Sequence, residues 1–161
     1  RILDSVAAAL GRAMVPGDTC ARGGLELRVL PFVRQEAYDD LLAACDINFV
    51  RGEDSLVRAI WAGKPFVWHI YKQEDDAHLV KLDAFLDRYC TGLPAPAAKA
   101  IRHFWHGWNQ GIVDSAAWRA FVAILPELGE HTLRWRDQLA KQIDQASFLA
   151  EFCKKTGKNQ L

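Results

Sequence analysis

The sequence predicts an α/β fold with a parallel sheet, followed by several C-terminal helices. Two observations predict it. An apolar strand-like run, Ile47 to Val50, leads through the charged turn Arg51-Gly52-Glu53-Asp54-Ser55 into a helix-like run, Leu56 to Ala62. Gly63-Lys64-Pro65 then closes that helix and opens a second apolar run, Phe66 to Tyr71, giving a strand, helix, strand pattern. Beyond Tyr89 the pattern becomes helical throughout. A chain of 161 residues, half of them hydrophobic, suffices for one cored domain and not comfortably for two, so residues 1–161 are expected to form a single domain.

The elements follow in order. Leu3, Val6, Ala7 and Leu10 share a helical face that ends at Gly11. Arg12 to Gly24 reads as loop. Leu25 to Phe32 alternates with period two until Pro31, which predicts a strand stopping there. Glu36 to Cys45 is a short amphipathic helix with Tyr38, Leu41, Leu42 and Cys45 on one face. After the strand, helix, strand unit, Asp76 is expected to cap a helix to about Tyr89, with Leu79, Leu82, Phe85, Leu86 and Tyr89 inward and Gly92 beyond it. Pro94 to Ala98 starts an aromatic helix to Asn109, and Asp114 or Ser115 caps another to Ile124. Pro126 precedes a last long helix expected through Phe152, and the polar tail, residues 154–161, is expected to fray.

Twenty basic and twenty acidic residues cancel, and no block of like charge stands out. That removes the electrostatic footprint of a general nucleic-acid or membrane-surface binder and favours a small-molecule or protein partner. Cys20, Cys45, Cys90 and Cys153 form no Cys-x-x-Cys pair, and Cys45 and Cys90 lie in apolar helical surroundings where buried thiols are common. A reducing, cytoplasmic compartment is expected. The N-terminus shows no charged leader before an apolar core, and no run reaches the roughly 20 apolar residues of a bilayer span. The chain begins at Arg1 without Met, and the expectation is a piece of a longer protein.

The Arg51 to Ser55 turn carries the chemistry. The first turn of a helix offers backbone N–H groups without intrahelical partners, and the helix dipole adds partial positive charge, so a phosphate is well placed there. Ser55 adds a hydroxyl and Arg51 a planar guanidinium suited to phosphate oxygens. Glu53 and Asp54 would repel a phosphate if aimed at it, and suit instead the hydroxyls of a sugar or a capping role. Ligand site and ordinary helix capping both fit these residues, capping being the commoner role of Asp and Ser at a helix start.

Longer stretches carry a family resemblance. Asp54 to Val67 resembles the helix, Gly-x-Pro, strand signature in the donor half of GT-B glycosyltransferases. Leu30-Pro31-Phe32-Val33, Cys45 to Ser55, Trp61 to Tyr71, Glu74 to Leu82 and Phe85-Leu86-Asp87-Arg88-Tyr89 resemble the bacterial protein-arginine rhamnosyltransferases (EarP), which modify translation elongation factor P. The resemblance is dense over about residues 25–90 and looser elsewhere.

It implies a Rossmann-like GT-B C-terminal donor-binding domain of an inverting enzyme with TDP-β-L-rhamnose as donor, elongation factor P as acceptor, and neither cofactor nor metal. The catalytic base implied by the family is an Asp in a segment resembling Asp-Asn-Tyr-Gly-Asp, which does not occur here, so this half is expected to bind donor without transferring sugar. Carried over by the resemblance, Phe32 would stack on thymine and Gln35 would lie at the base edge. Arg51, Gly52, Ser55 and Tyr71 would line the diphosphate, with the N–H groups of Asp54 and Ser55. Glu53 and Asp54 would face the ribose, phosphate or rhamnose and support catalysis. Arg34 and Lys72 stand where the family pattern has Pro, a departure beside the site that bears on loop stiffness. The alternative is a non-catalytic nucleotide-binding or protein-interaction module.

Other features invite sharper readings than they support. His103 and His106 lack a third ligand at metal spacing and are expected in surface or packing roles. Asp75 and Asp76, adjacent on one loop, suit capping better than acid/base work. Trp105, Trp108 and Trp118 recur at spacings that fill a helical core. Of Trp68 and His69, one should face the core and the other the site. Leu133, Leu139, Ile143, Ala146 and Phe152 form an apolar stripe on the last helix, which predicts low solubility or self-association.

Overall fold

The computed structural model describes residues 2–157. The chain divides into two compact units, one up to Leu41 and one from Leu42 onward.

The first unit opens with α1 (Ile2–Leu10), which ends at Gly11 with φ +70°, as its apolar spacing requires. An antiparallel hairpin follows, β1 (Thr19–Arg22) with β2 (Leu25–Arg28), in the register Thr19↔Arg28 to Arg22↔Leu25. One expectation is corrected here: the segment read as loop, Arg12 to Gly24, contains β1, which pairs with the Leu25 strand. Gly23-Gly24 forms the two-residue connection, with Gly23 at φ +59°, a backbone conformation that suits a tight hairpin. Regular pairing ends at Arg28, three residues before Pro31, while Val29 N–H still reaches the carbonyl of Asp18 at 2.9 Å. The next helix, α2 (Gln35–Ala44), crosses the division between the units.

The second unit holds a parallel pair, β3 (Asn48–Val50) and β4 (Phe66–Trp68), joined through α3 (Glu53–Ala62). Register runs Asn48↔Phe66 to Val50↔Trp68. Asn48 is buried and its amide donates to the carbonyl of Leu42 at 2.9 Å. Gly63 ends α3 in the left-handed region, φ +68°, with its N–H on the carbonyl of Ile60. A Cβ there would lie 2.7 Å from an Arg136 guanidinium nitrogen and 2.9 Å from a Leu133 methyl, so glycine is needed for both conformation and space.

A short 3₁₀ turn (Glu74–Asp76) precedes α4 (Ala77–Tyr89). Asp76 occupies the cap position, but it makes no side-chain cap bond. Asp75 and Asp76 both adopt φ +54°, outside the extended geometry a capping side chain uses. The inward face of α4 is His78, Leu82, Leu86 and Tyr89, with Leu79 and Phe85 half-buried. Then come α5 (Ala95–Gln110), α6 (Ser115–Ala123), α7 (Leu125–Ala140) and α8 (Gln145–Gly157). Asp114 caps α6, accepting from the Ala117 N–H at 2.6 Å. The single last helix of the sequence reading is two helices. Asp144 starts the second by accepting from both the N–H and the hydroxyl of Ser147, at 2.9 and 2.6 Å. Residues 154–157, expected to fray, are helical, and the rest of that tail lies outside the described residues.

Aromatic side chains fill the core of this unit. Phe66 lies 5.1 Å from Tyr89 and 5.6 Å from Trp105, and Phe85 stacks on Trp105 at 5.9 Å. Phe104 stacks on Phe121 at 4.4 Å. Such pairs add specific geometry to large apolar burial. Of the three tryptophans assigned to the core, Trp105 is fully buried, Trp108 is half-buried, and Trp118 is exposed while still touching Phe104. The indole N–H groups of Trp105 and Trp108 are buried without a hydrogen-bond partner, whereas the polar groups around Tyr89 are paired. The Tyr89 hydroxyl donates to Thr132 at 2.6 Å, Thr132 donates onward to the Leu128 carbonyl, and His131 Nε2 donates to the Tyr89 carbonyl at 2.6 Å. Burial pushes the Tyr89 hydroxyl well above the ordinary phenol range and holds His131 below the ordinary imidazole value.

Cys90 is buried and its thiol is pushed up by burial, whereas Cys45 is exposed, contrary to expectation, because it falls just past the end of α2. None of the four cysteines is in a disulfide. Among the described residues no helix is long and apolar enough to cross a membrane.

Candidate functional site

The site-forming turn lies where β3 gives way to α3. Gly52 is the residue before the helix, at φ −75° and ψ 162°, an extended conformation open to any residue. A Cβ at Gly52 would sit 3.7 Å from the Tyr71 ring, an ordinary contact, so neither backbone nor space demands glycine there. What Gly52 withholds is a capping side chain. Its carbonyl accepts the first helical bond, from Leu56 at 2.9 Å, leaving the earlier N–H groups of α3 without intrahelical partners.

The Glu53 carboxylate meets its own backbone N–H, and the neighbouring side chains do not cap the next two. Asp54 pairs with Arg58 one turn along, at 3.1 Å, and Glu53 pairs with Lys81 on α4, at 2.7 Å. The hydrogen bond from Lys81 comes first among the causes that hold the Glu53 carboxyl below its ordinary range, followed by its own backbone N–H. Ordinary capping by Asp54 is therefore absent, and Ser55 lies half-buried in the first turn. The Arg51 guanidinium lies over the Tyr71 ring, 4.6 Å from its centroid, while Arg51 Nε is buried without a hydrogen-bond partner. An unpaired buried N–H is costly, so it marks a position where an acceptor would be favourable.

The backbone that carries Arg51 and Tyr71 is fixed from two sides. Trp68 is buried and its indole N–H donates to the Arg51 carbonyl at 3.0 Å. His69, on the alternate face, is half-buried and is held below the ordinary imidazole value by burial first and by Arg51 second. The strand thus splits the two residues as its period requires. Asn109, from the end of α5, accepts from the Ile70 N–H and donates to the carbonyls of Trp68 and Trp105, each at 2.9 Å.

Of the sequence-predicted site residues, Arg51, Gly52, Glu53, Asp54, Ser55 and Tyr71 belong to the second unit, and Arg51, Gly52 and Tyr71 are brought into contact there. Phe32 and Gln35 belong to the first unit. Phe32 is fully exposed, at 102 %, and Gln35 is the first residue of α2. Arg34 supplies the carbonyl for the first bond of that helix, from Tyr38 at 3.0 Å, and Lys72 is exposed. His106 pairs with Asp83 at 2.7 Å and His103 is exposed; among the described residues no group of three or more His, Cys, Asp or Glu is placed to hold a metal ion.

Comparison with known proteins decides the family. The sequence model described as elongation-factor P (EF-P) rhamnosyltransferase EarP matches residues 1–154. This chain belongs to the EarP family. A protein-arginine rhamnosyltransferase of Pseudomonas aeruginosa is 48% identical over 153 residues, covering 94% of this chain and 41% of the relative. One from Shewanella oneidensis is 40% identical over 146 residues, covering 89% of this chain and 37% of the relative. A solved structure described as the structural basis for EarP-mediated arginine glycosylation of translation elongation factor EF-P aligns with a TM-score of 0.83 at 41% identity, over 95% of this chain and 48% of that one. The chain thus spans about two fifths of the length of these curated EarP relatives.

Two residues beside the EarP-type turn escaped the sequence reading. Lys81 had the signal of its place on the polar side of α4, but its partner, Glu53, is 28 positions away. Asn109 had only its position at the end of an aromatic helix; its bonds to the Trp68 and Ile70 backbone span 41 and 39 positions.

Proposed function

We propose that this chain is the TDP-β-L-rhamnose-binding part of an inverting, metal-independent protein-arginine rhamnosyltransferase acting on elongation factor P, in a cytoplasmic setting. In this reading the β3, α3, β4 unit is the centre of a Rossmann-like GT-B donor half. The observation that carries it is the first turn of α3, which Gly52 leaves without an N-cap side chain and which is flanked by the Arg51 guanidinium on Tyr71.

The diphosphate would take the N–H groups of Asp54 and Ser55, the Ser55 hydroxyl and Arg51. Phe32 would stack on thymine with Gln35 at the base edge, and Glu53 and Asp54 would face the sugar side. As the bond from the anomeric carbon to the diphosphate breaks, negative charge grows on the leaving TDP. Fixed N–H and guanidinium donors stabilise that charge without reorganising, which lowers the barrier for attack by the acceptor arginine. Proton removal from that arginine is assigned to a base outside this chain, so the 161 residues bind donor and do not transfer sugar unaided.

Calorimetric titration of the folded chain with TDP, UDP and TDP-rhamnose tests the reading. Binding of TDP and TDP-rhamnose in preference to UDP is expected. A folded chain that binds no TDP species would sink it.

A further inference from the structure

A carboxylate on the first residue of α3 is a liability at an anion site. Glu53 is exposed, one residue before the N–H groups a diphosphate would use, and its charge opposes theirs. Lys81 answers it from α4. Its ammonium lies 2.7 Å from Glu53 Oε1 and 5.4 Å from the centroid of the Trp68 ring. Trp68 is buried and donates its indole N–H to the Arg51 carbonyl. Lys81 is thereby anchored to the turn twice, directly through Glu53 and over the ring that holds Arg51.

We infer that Lys81 is a positioning residue of the diphosphate-binding turn that acts through Glu53, holding and neutralising the carboxylate so that the N–H groups of Asp54 and Ser55 are left to an anionic donor. The inference rests on the donor-site reading above and adds to it the device that lets an acidic turn accept a diphosphate. The bond from Lys81 favours the ionised carboxylate. An isolated surface pair contributes little to folding, so the consequence of losing Lys81 belongs to binding more than to stability.

The test is calorimetric titration with TDP at fixed ionic strength for the wild type, Lys81→Ala, Lys81→Arg, Glu53→Gln and the Glu53→Gln/Lys81→Ala double variant. Lys81→Ala is expected to weaken TDP about fivefold, because an uncompensated carboxylate then faces the ligand. Lys81→Arg should recover most of that loss. Adding Lys81→Ala to Glu53→Gln should change affinity by less than about twofold, because residues acting as one unit are non-additive. A fivefold loss that persists in the Glu53→Gln background means that Lys81 meets the phosphate itself or supports the fold, and overturns the inference. An unchanged Lys81→Ala affinity overturns it too. A wild type that binds no TDP overturns the donor-site reading and this inference together, whereas a wild type that binds while Lys81→Ala is silent removes the inference alone.

Discussion

The Arg51 to Ser55 turn and the Phe32 to Gln35 segment, one in each compact unit, are built in opposite ways. The turn is clamped by packed elements: Trp68 holds the Arg51 carbonyl, and Asn109 holds the backbone at Trp68 and Ile70. The Phe32 segment follows the last hydrogen-bonded residue of a two-stranded hairpin, and its phenyl ring is fully exposed. The difference teaches where precision is required. A diphosphate that gains charge in the reaction needs fixed donors, whereas a flat base needs only a ring surface.

The largest effect that would break this contrast comes from Asn109. Two of its three hydrogen bonds tie α5 to the end of β4, and truncation leaves the Ile70 N–H and the Trp68 carbonyl without that partner. Asn109→Ala is expected to lower folding stability by about 2–3 kcal/mol in urea denaturation, and to weaken TDP binding with it. A loss under about 0.5 kcal/mol would show that the clamp is incidental.

Arg51→Ala and Phe32→Ala sharpen the comparison next. Removing Arg51 should cost TDP about 2 kcal/mol of affinity while leaving thymidine binding nearly as it was, since only the diphosphate uses a charged fork. Phe32→Ala should weaken TDP and thymidine alike, by about 1–2 kcal/mol. Because the ring is exposed, its loss should leave the unfolding midpoint in place, within about 0.5 kcal/mol. Equal losses for both ligands with both variants would erase the division between the two segments.

The smallest expected effect is on pH dependence. Burial holds His131 and His69 below the ordinary imidazole value, so the unfolded chain binds protons more readily than the folded one. Stability should therefore be full above about pH 6.5 and decline as pH falls through the histidine range, until the folded groups protonate as well. Urea midpoints at pH 7.5 and 5.5 check this, and His131→Asn should flatten the slope, provided that its stability at pH 7.5 remains measurable.

The contrast also shows what a sequence can carry. The β3, α3, β4 unit was legible because its signals are local: an apolar run, a polar helix start, Gly63-Lys64-Pro65, a second apolar run. The helices after Pro94 and Asp114 were legible for the same reason. The β1 hairpin is hard to read because Thr19-Cys20-Ala21-Arg22 has weak strand propensity, although Gly23-Gly24 is a two-residue turn signal. The break before α8 was overlooked because its apolar spacing continues through Ile143, although Asp144 three residues before Ser147 is a helix start. Within the site, residue types were readable and orientations were not. Asp54 meets Arg58 at the local i,i+4 spacing, but that Glu53 turns to Lys81 depends on a residue 28 positions away on α4, and the missing cap depends on Gly52 having no side chain.

The central claim is that the first turn of α3 is the diphosphate end of a nucleotide site. It is met most directly by amide chemical shifts of the labelled chain during titration with TDP, with thymidine as the control. The N–H resonances of Asp54 and Ser55 are expected to move downfield with TDP and barely with thymidine, together with the Arg51 Nε–H. Shifts from TDP that leave those three groups unmoved while appearing elsewhere would contradict it.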